Sequence, residues 1–533
     1  MRMFSTIFSA SPSSISTNSL APFVAICNWA KRAKLHKSLM FWLVLMRTSN
    51  SAAHLIEHVD TQGSIRRKNS APVPIFVGLG FVILVQEQRP LSRASQAWLH
   101  QHVTKYGRLL WTSLEREEFW VNAILKLQGT HKFSEEKAEQ CFSLMTSPLS
   151  LGLVPVHSER SHLFGDQKLL MHQAVDCHMR IFGFVSKEGK MQIKSPSQPV
   201  LAISASLIML PRAHEESRYV LGIWNTYSSI LENFRTRCLV ASVVAVFKGI
   251  YGELASRIVL TIAWDAAKRR ILDQMEPRRA KRPLRLPSTS DYAKVLAQAV
   301  LLDEIIAGLA DLDEQGSSIR WALQTEAGPF HSLAWVNFTH FDILPDQITE
   351  TSSQYLWYCW KRGVGLQMAH SQSSIDGIIP VFMGNFDQPF VDPDTADDGG
   401  DHEMNAARYM TYVSWEAKNP CEAHAGADLG KTPLMLKLAG PTIKRALQPP
   451  NRQDLLTDRG LMSVLLDLGT TTPFVSKPRG LRPQVQVING TECPQICIPS
   501  VRDKYAYPCR DVFKVRPIFA DLILGLIASP SYQ

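Results

Sequence analysis

The sequence predicts an α/β fold of the α+β kind, with a mainly helical N-terminal module followed by an α/β core around a central mixed sheet. Two observations predict it. Before residue 312, apolar residues recur three or four positions apart, which is the period of an amphipathic helix. After residue 374, short β-branched and aromatic runs lie between turn residues, which is typical of strands. A further helix at 434–447 and strands at 461–468 and 485–488 would complete the sheet.

The helical part is predicted from apolar spacing. Leu254, Ile258 and Ile262 recur every fourth residue and form a core-facing stripe. We expect a break in this helix near Gly249 and Gly252. The segments predicted to be helical are 98–180, 219–234, 240–275 and 292–312.

Two apolar runs, 374–382 and 409–419, predict neighbouring strands of a half-buried sheet. The two-residue period of a strand places the apolar side chains of the second run on a core face. It places Glu416 and Lys418 together on the other face. If the first strand pairs with the second, Asp376 reaches the same edge of the sheet.

An Asp and a Glu that converge near a Lys are suited to metal-dependent phosphodiester cleavage. Carboxylates are hard oxygen ligands for Mg²⁺ or Mn²⁺, and the ammonium group can orient the attacking water or offset developing charge. The acid-x-Lys triplet by itself is unspecific, because it also occurs at Glu135/Lys137 and Asp166/Lys168. The alternative for Glu416 and Lys418 is a strand-end ion pair of small energetic value.

Several short motifs give the chain a resemblance to known families. The acid positions resemble those of the PD-(D/E)xK restriction-endonuclease superfamily. More closely, residues 95 to 520 resemble a group of fungal proteins from transposon-rich genomes, akin to Crinkler and retrotransposon-hot-spot proteins. The matching motifs are YGRLLW (106–111), CHMR (177–180), YGELASR (251–257), VNFTHF (336–341), IDGIIPV (375–381) and WEAKN (415–419).

The resemblance implies a restriction-endonuclease-like core in which Asp376 and Glu416 hold the metal and Lys418 activates water. It also implies that Glu253 is the helix acid of the site. The residue-based alternative is that Glu253 favours the helix N-terminus and pairs with Arg257. Members of the group often have Gln where this chain has Glu416, and their hairpin between the two strands is shorter.

The expected organisation has three parts. Residues 1–95 are poorly ordered, and 96–215 form a helical module that resembles an NTPase lid without its phosphate loop. Because no complete phosphate-binding loop is present, we expect no ATP. Residues 216–533 form the nuclease-like domain. It contains a linker at 276–290 and an acidic insert at 385–408, which we expect to be a solvated loop.

Charge and composition favour a polyanionic partner such as DNA, since the net charge is +9. Two basic clusters between Lys268 and Arg282 resemble a bipartite nuclear localisation signal; the Ser-rich, basic N-terminus leaves a mitochondrial or host-directed destination open. No apolar run reaches the length of a membrane span, so no integral membrane association is expected. Nine scattered cysteines indicate no disulfide framework. The competing function is a catalytically inactive nuclease fold that binds DNA or protein.

Overall fold

The computed structural model describes a part of the chain in several ranges. These ranges are 90–130, 132–153, 162–185, 191–210, 223–240, 248–275, 288–309, 334–369, 372, 375–392, 405–418, 436–439, 462–467, 484–488 and 491–498. The chain divides into two units, 1–77 with 182–192, and 78–181 with 193–533. The candidate site lies in the second unit.

Helices dominate the described residues before 310. A 3-10 helix at Ala94–Trp98 precedes them, a π-helical turn follows α7 at Phe234–Val240, and a second 3-10 helix lies at Ala406–Tyr409. The described α-helices are α1 (His100–Val103), α2 (Leu110–Ser113), α3 (Phe119–Gln128), α4 (Ala138–Leu149), α5 (His162–Cys177), α6 (Pro199–Met209), α7 (Ile223–Asn233), α8 (Lys248–Met275), α9 (Thr289–Ala297), α10 (Leu302–Leu309) and α11 (Ser353–Lys361).

Local sequence accounts for several helix ends. α3 ends at Gly129, whose φ of 74° is a left-handed conformation that glycine adopts without steric cost. α6 begins with Pro199 at its first turn, where the missing N–H costs no hydrogen bond. α9 begins at a capping box in which Ser288 and Asp291 bond to each other's backbone N–H groups. None of the helices within the described ranges has the length and apolar character to cross a membrane.

The strands form one large mixed sheet and two small pairings. The described strands are β1 (Ile181–Val185), β2 (Met191–Lys194), β3 (Val300–Leu301), β4 (Ala334–Val336), β5 (His340–Ile343), β6 (Glu350–Ser352), β7 (Val364–Gln367), β8 (Gly377–Met383), β9 (Met410–Lys418), β10 (Lys437–Ala439), β11 (Met462–Asp467), β12 (Gln484–Ile488) and β13 (Thr491–Ile498).

The large sheet follows the order β12-β13-β11-β9-β8-β4-β3, and β7 joins β8 and β5. β8 and β9 are antiparallel, whereas β9, β11 and β13 are parallel to one another. β1 pairs with β2, and β6 pairs with β10. The predicted α+β class with a central mixed sheet is therefore confirmed.

The predicted half-buried character of β8 and β9 is wrong, because helices cover both faces. On one face, Trp415 of β9 donates to Ser256 Oγ of α8 over 3.2 Å. On the other face, Phe382 of β8 contacts the rings of Trp357 and Trp360 of α11 at centroid distances of 6.2 and 5.5 Å. Because both faces of these strands are covered, polar side chains are buried along them as well as apolar ones.

Three further predictions differ from the structure. α8 begins at Lys248 and includes Gly249 and Gly252, so neither glycine interrupts it, whereas residues 241–247 of the predicted helix lie outside the described residues. The segment 292–312 contains α9, the short strand β3 and α10 rather than one helix. The segment predicted as a helix at 434–447 contains β10, whose parallel pairing with the distant β6 no local period encodes.

Several predictions concern residues that the structure leaves out. These are the poor order of 1–89, the middle of the linker at 276–287 and the centre of the insert at 393–404. The described start of the insert is largely exposed at 385–389, as expected of a solvated loop, but Asp392 is buried and ion-paired with Lys361.

Candidate active site at the ends of the central strands

Asp376 lies directly before β8 and contacts β9 through both its backbone and its side chain. Its N–H donates to Trp415 O over 2.9 Å, and its Oδ2 accepts from the Ala417 N–H over 2.6 Å. Its carbonyl accepts from Met368 N at 2.8 Å and from Gln367 Nε2 at 2.6 Å. Asp376 is therefore held against the stretch of β9 that includes Glu416.

The register of the two strands brings the acids to one end of the sheet. Gly377, the first residue of β8, pairs with Trp415 of β9. Asp376 directly precedes Gly377 and therefore lies level with the end of β9. Glu416 is buried, with 7% of its surface exposed. Lys418 is the last residue of β9 and lies two positions after Glu416. Because successive residues of a strand alternate between its faces, Glu416 and Lys418 belong to the same face.

A third acidic position, Asp467, was missed in the sequence. β11 runs parallel to β9 and pairs Leu465 with Glu416 and Asp467 with Lys418. Because parallel strands end at the same edge, the backbone of Asp467 lies beside that of Lys418. The only signal in the sequence is an acid at the end of an apolar run, which does not by itself reveal its neighbour.

The opposite face of β9 is a closely packed aromatic layer. Trp415 contacts Phe341 with ring centroids 5.5 Å apart, besides its bond to Ser256. A Cβ placed on Gly377 would lie 2.1 Å from the Trp415 ring and 2.5 Å from Leu366 O. Only a glycine therefore permits this contact directly beside Asp376.

Glu253 lies on α8, the helix that covers the Trp415 face. Its carbonyl accepts from Ser256 Oγ at 2.8 Å and from Arg257 Nε at 3.4 Å. Burial lowers the pKa of Arg257 to about 10, and the charge of Glu253 acts in the opposite direction. Because alternation assigns Glu416 to the other face of β9, membership of Glu253 in the site stays a prediction.

The oxygen atoms near Asp376 offer a partial fit for a hard cation. Gln367 is buried and its amide nitrogen donates to Asp376 O, whereas its Oε1 has no hydrogen-bond partner among the described residues. An acceptor in this state suits a cation or an ordered water. In the described residues, no group of three or more His, Cys, Asp or Glu side chains is arranged to hold a metal. Two carboxylates are nevertheless sufficient for Mg²⁺, which keeps several waters and takes further ligands from phosphate.

His340, a residue of the VNFTHF motif, is held in the interior away from this site. Its Nε2 is 2.9 Å from Ser197 Oγ and its Nδ1 is 2.8 Å from Thr339 Oγ1. Burial, with a smaller effect of Arg362, lowers the pKa of His340 to about 3. The imidazole is therefore neutral at physiological pH and is a weak base.

The first basic cluster of the predicted localisation signal is built into α8. Lys268 is buried, and its Nζ donates to the carbonyls of Val295 and Gln298 at the end of α9. Arg269 is buried and pairs with Asp273 at 2.8 Å. Nuclear localisation stays a prediction, and the second cluster at 278–282 lies outside the described residues.

Comparison with known proteins adds no relative: no protein-family model, no curated protein and no solved structure matches this chain. The described cysteines Cys141, Cys177, Cys238 and Cys359 are free thiols. The evidence for a function therefore comes from the residues at the ends of β8 and β9.

Proposed function

We propose that the chain is a metal-dependent DNA endonuclease with a restriction-endonuclease-like core, related to the Crinkler and retrotransposon-hot-spot group. The observation that supports it is the hydrogen bond from Ala417 N to Asp376 Oδ2, at 2.6 Å. This contact holds one acid of the predicted set against the strand segment that contains Glu416 and Lys418. The net charge of +9 favours association with a polyanion.

In this proposal each residue has a separate task. Asp376 and Glu416 would hold Mg²⁺ or Mn²⁺, and the bound ion would supply Lewis-acid activation of the scissile phosphate and of water. The Ala417 N–H fixes the direction of the Asp376 carboxylate. Lys418 would orient the attacking water, and Glu253 would complete the acid set.

A second candidate is a catalytically inactive nuclease fold that binds DNA or another protein. The burial of Glu416 favours it, because a buried carboxylate serves equally well as an internal polar contact. Under this alternative, removal of the acids would alter stability but no hydrolytic activity would exist.

A plasmid-nicking assay on the full chain distinguishes the two. With Mg²⁺ or Mn²⁺, the wild type should nick supercoiled DNA, and Lys418→Ala should lower the rate by about 100-fold or more, within the range typical of acid-base groups. The control is Lys294→Ala, which removes an exposed lysine on α9 and should keep the wild-type rate.

Unchanged nicking by Lys418→Ala would remove the proposed site, even if the protein cleaves DNA. No nicking by the wild type with either ion, combined with DNA binding in a gel-shift assay, would favour the inactive fold. Glu416→Gln provides a second test, since the amide preserves shape but is a poor ligand for a hard cation.

A further inference from the structure

Two buried arginines contact the short segment that leads into α6. Arg180 Nη1 lies 2.5 Å from Ser195 Oγ, and Arg362 Nη2 lies 2.7 Å from Ser197 Oγ. Ser195 and Ser197 are two positions apart, so their Cα atoms are separated by at most about 7 Å. The two guanidinium groups therefore meet hydroxyls on one short stretch of chain.

Within the described part of the chain, Arg180 bonds only to neutral partners. Besides Ser195, its guanidinium bonds to Ser143 O at 2.5 Å and Ser147 Oγ at 2.9 Å. Arg180 is almost fully buried, and burial, assisted by the nearby charge of Arg108, lowers its pKa to about 9. A buried cation held only by neutral oxygens lacks the compensation that an anion would provide.

The guanidinium of Arg362 contacts two aromatic rings. Its guanidinium carbon lies 5.0 Å from the ring centre of Tyr358 and 5.9 Å from that of Tyr106. Asp342, half exposed, is its closest described carboxylate, with 3.9 Å between Asp342 Oδ2 and Arg362 Nη2. An ion pair at that distance and exposure compensates little of a buried charge.

Three buried side-chain donors at or near this segment have no hydrogen-bond partner among the described residues. They are Arg180 Nε, Arg362 Nε and Gln198 Nε2. Gln198 is the N-cap residue of α6, and its Oε1 already accepts from Trp111 Nε1 at 2.8 Å. All three atoms are donors, and the N-terminus of α6, which Gln198 caps, has a partial positive charge. Among the described residues, the negative charge recorded near these donors is that of Asp342, at 3.9 Å from Arg362.

We propose that Arg180, Arg362 and Gln198, which we call the donor cluster, form a binding site for a phosphoryl anion at the start of α6. A phosphoryl group offers three or more oxygens in different directions, one for each donor, whereas a carboxylate offers two. Guanidinium groups match this chemistry through charge-assisted bonds. Ser197 is only half-buried, so we expect an anion to enter the site from the side of this residue. The site does not rest on the proposed nuclease function, since it lies apart from Asp376.

Free phosphate and the phosphodiester of DNA share this chemistry, so the test has two arms. In the first, the full chain is titrated with inorganic phosphate, and the melting temperature and the heat of binding are measured. Acetate at equal ionic strength is the comparison anion. Wild type should show a saturable rise in melting temperature with phosphate only. In the second, duplex DNA is added to the phosphate-loaded protein, and displacement assigns the site to DNA phosphate.

Two variants test the location. Arg362→Gln should weaken phosphate binding by at least about tenfold, since it removes a charged donor. Gln198→Glu keeps the Oε1 acceptor but replaces the Nε2 donor with a charged oxygen. It should raise the melting temperature without phosphate and abolish the response to phosphate, because it places an internal carboxylate next to Arg108, whose Nη1 lies 3.4 Å from Gln198 Oε1, and within the proposed anion site. Arg270→Gln, which removes a half-buried arginine paired with Glu304 elsewhere, should bind within twofold of wild type.

The proposal is overturned if wild type gives no saturable response to phosphate or DNA. It is also overturned if Gln198→Glu, folded by circular dichroism, binds phosphate as well as wild type does. If Arg362→Gln fails to fold, the Gln198→Glu result alone decides, because that variant preserves the packing at the segment.

Discussion

The buried carboxylate of Asp392 connects the start of the acidic insert to the core. Its Oδ1 accepts from Trp357 Nε1 at 2.9 Å and from Lys361 Nζ at 3.2 Å, and its Oδ2 accepts from Leu91 N at 3.1 Å. The side chains of Lys361 and Asp392 are only 4% and 3% exposed. The carboxylate thus joins α11, the insert and the start of the described chain.

Asp392→Ala should destabilise the protein by about 3–5 kcal/mol, because it leaves the Lys361 ammonium buried without this carboxylate. Two N–H groups, those of Trp357 and Leu91, lose the same acceptor. Lys361→Met should cost less, since Asp392 keeps both N–H donors. We therefore expect Asp392→Ala to lose more stability than Lys361→Met, because only the second variant leaves the remaining partner with its N–H hydrogen bonds.

Urea unfolding followed by tryptophan fluorescence measures the effect. Asp392→Ala should lower the midpoint by about 1 M or more at an unchanged slope. Asp387→Ala, which removes an exposed acid of the same insert, should stay within about 0.5 kcal/mol of wild type. A wild-type midpoint for Asp392→Ala, or a larger loss for Lys361→Met, would refute the reasoning.

Two further predictions concern the interior. Gly377→Ala should cost at least about 2 kcal/mol in unfolding experiments, because the added Cβ would lie 2.1 Å from the buried Trp415 ring; an unchanged stability would mean that the ring can move. Burial raises the pKa of Asp265 to about 7, above about 3.9 in an unfolded chain, so its contribution to stability is complete below pH 4 and is lost as the pH rises through 7. Asp265→Asn, which can still accept from Tyr227, should therefore match wild type near pH 4 and gain on it towards pH 8; parallel stability profiles would contradict this.

The sequence predicted the strand that carries Glu416 and Lys418 and its pairing with the strand after Asp376, but not the helices that cover both faces of these strands. The alternating pattern of 409–419 predicted a strand, and the structure has β9 at Met410–Lys418. The adjacency of Asp376 to that strand depended on an assumed pairing, which the structure has. Whether these residues bind metal stays a prediction.

The donor cluster could not have been found in the same way. Arg180 lies between α5 and β1, and Arg362 directly follows α11; nothing in the spacing of their neighbours indicates that both reach the Ser195–Gln198 segment. The burial of Lys268 could not be predicted from the sequence either. A run of three basic residues suggested an exposed signal, whereas packing against α9 buries Lys268.

The sequence by itself determined local elements such as β9, β11 and the glycine end of α3, because strand periods and glycine ends act over a few neighbouring positions. Only the tertiary structure decided that β11 runs parallel to β9 and that Asp467 lies beside Lys418. It also decided that Asp392 meets Leu91, a contact across 301 positions of sequence. The physical reason is that such pairings arise from the packing of surfaces and the matching of charges between distant segments, which no local period specifies.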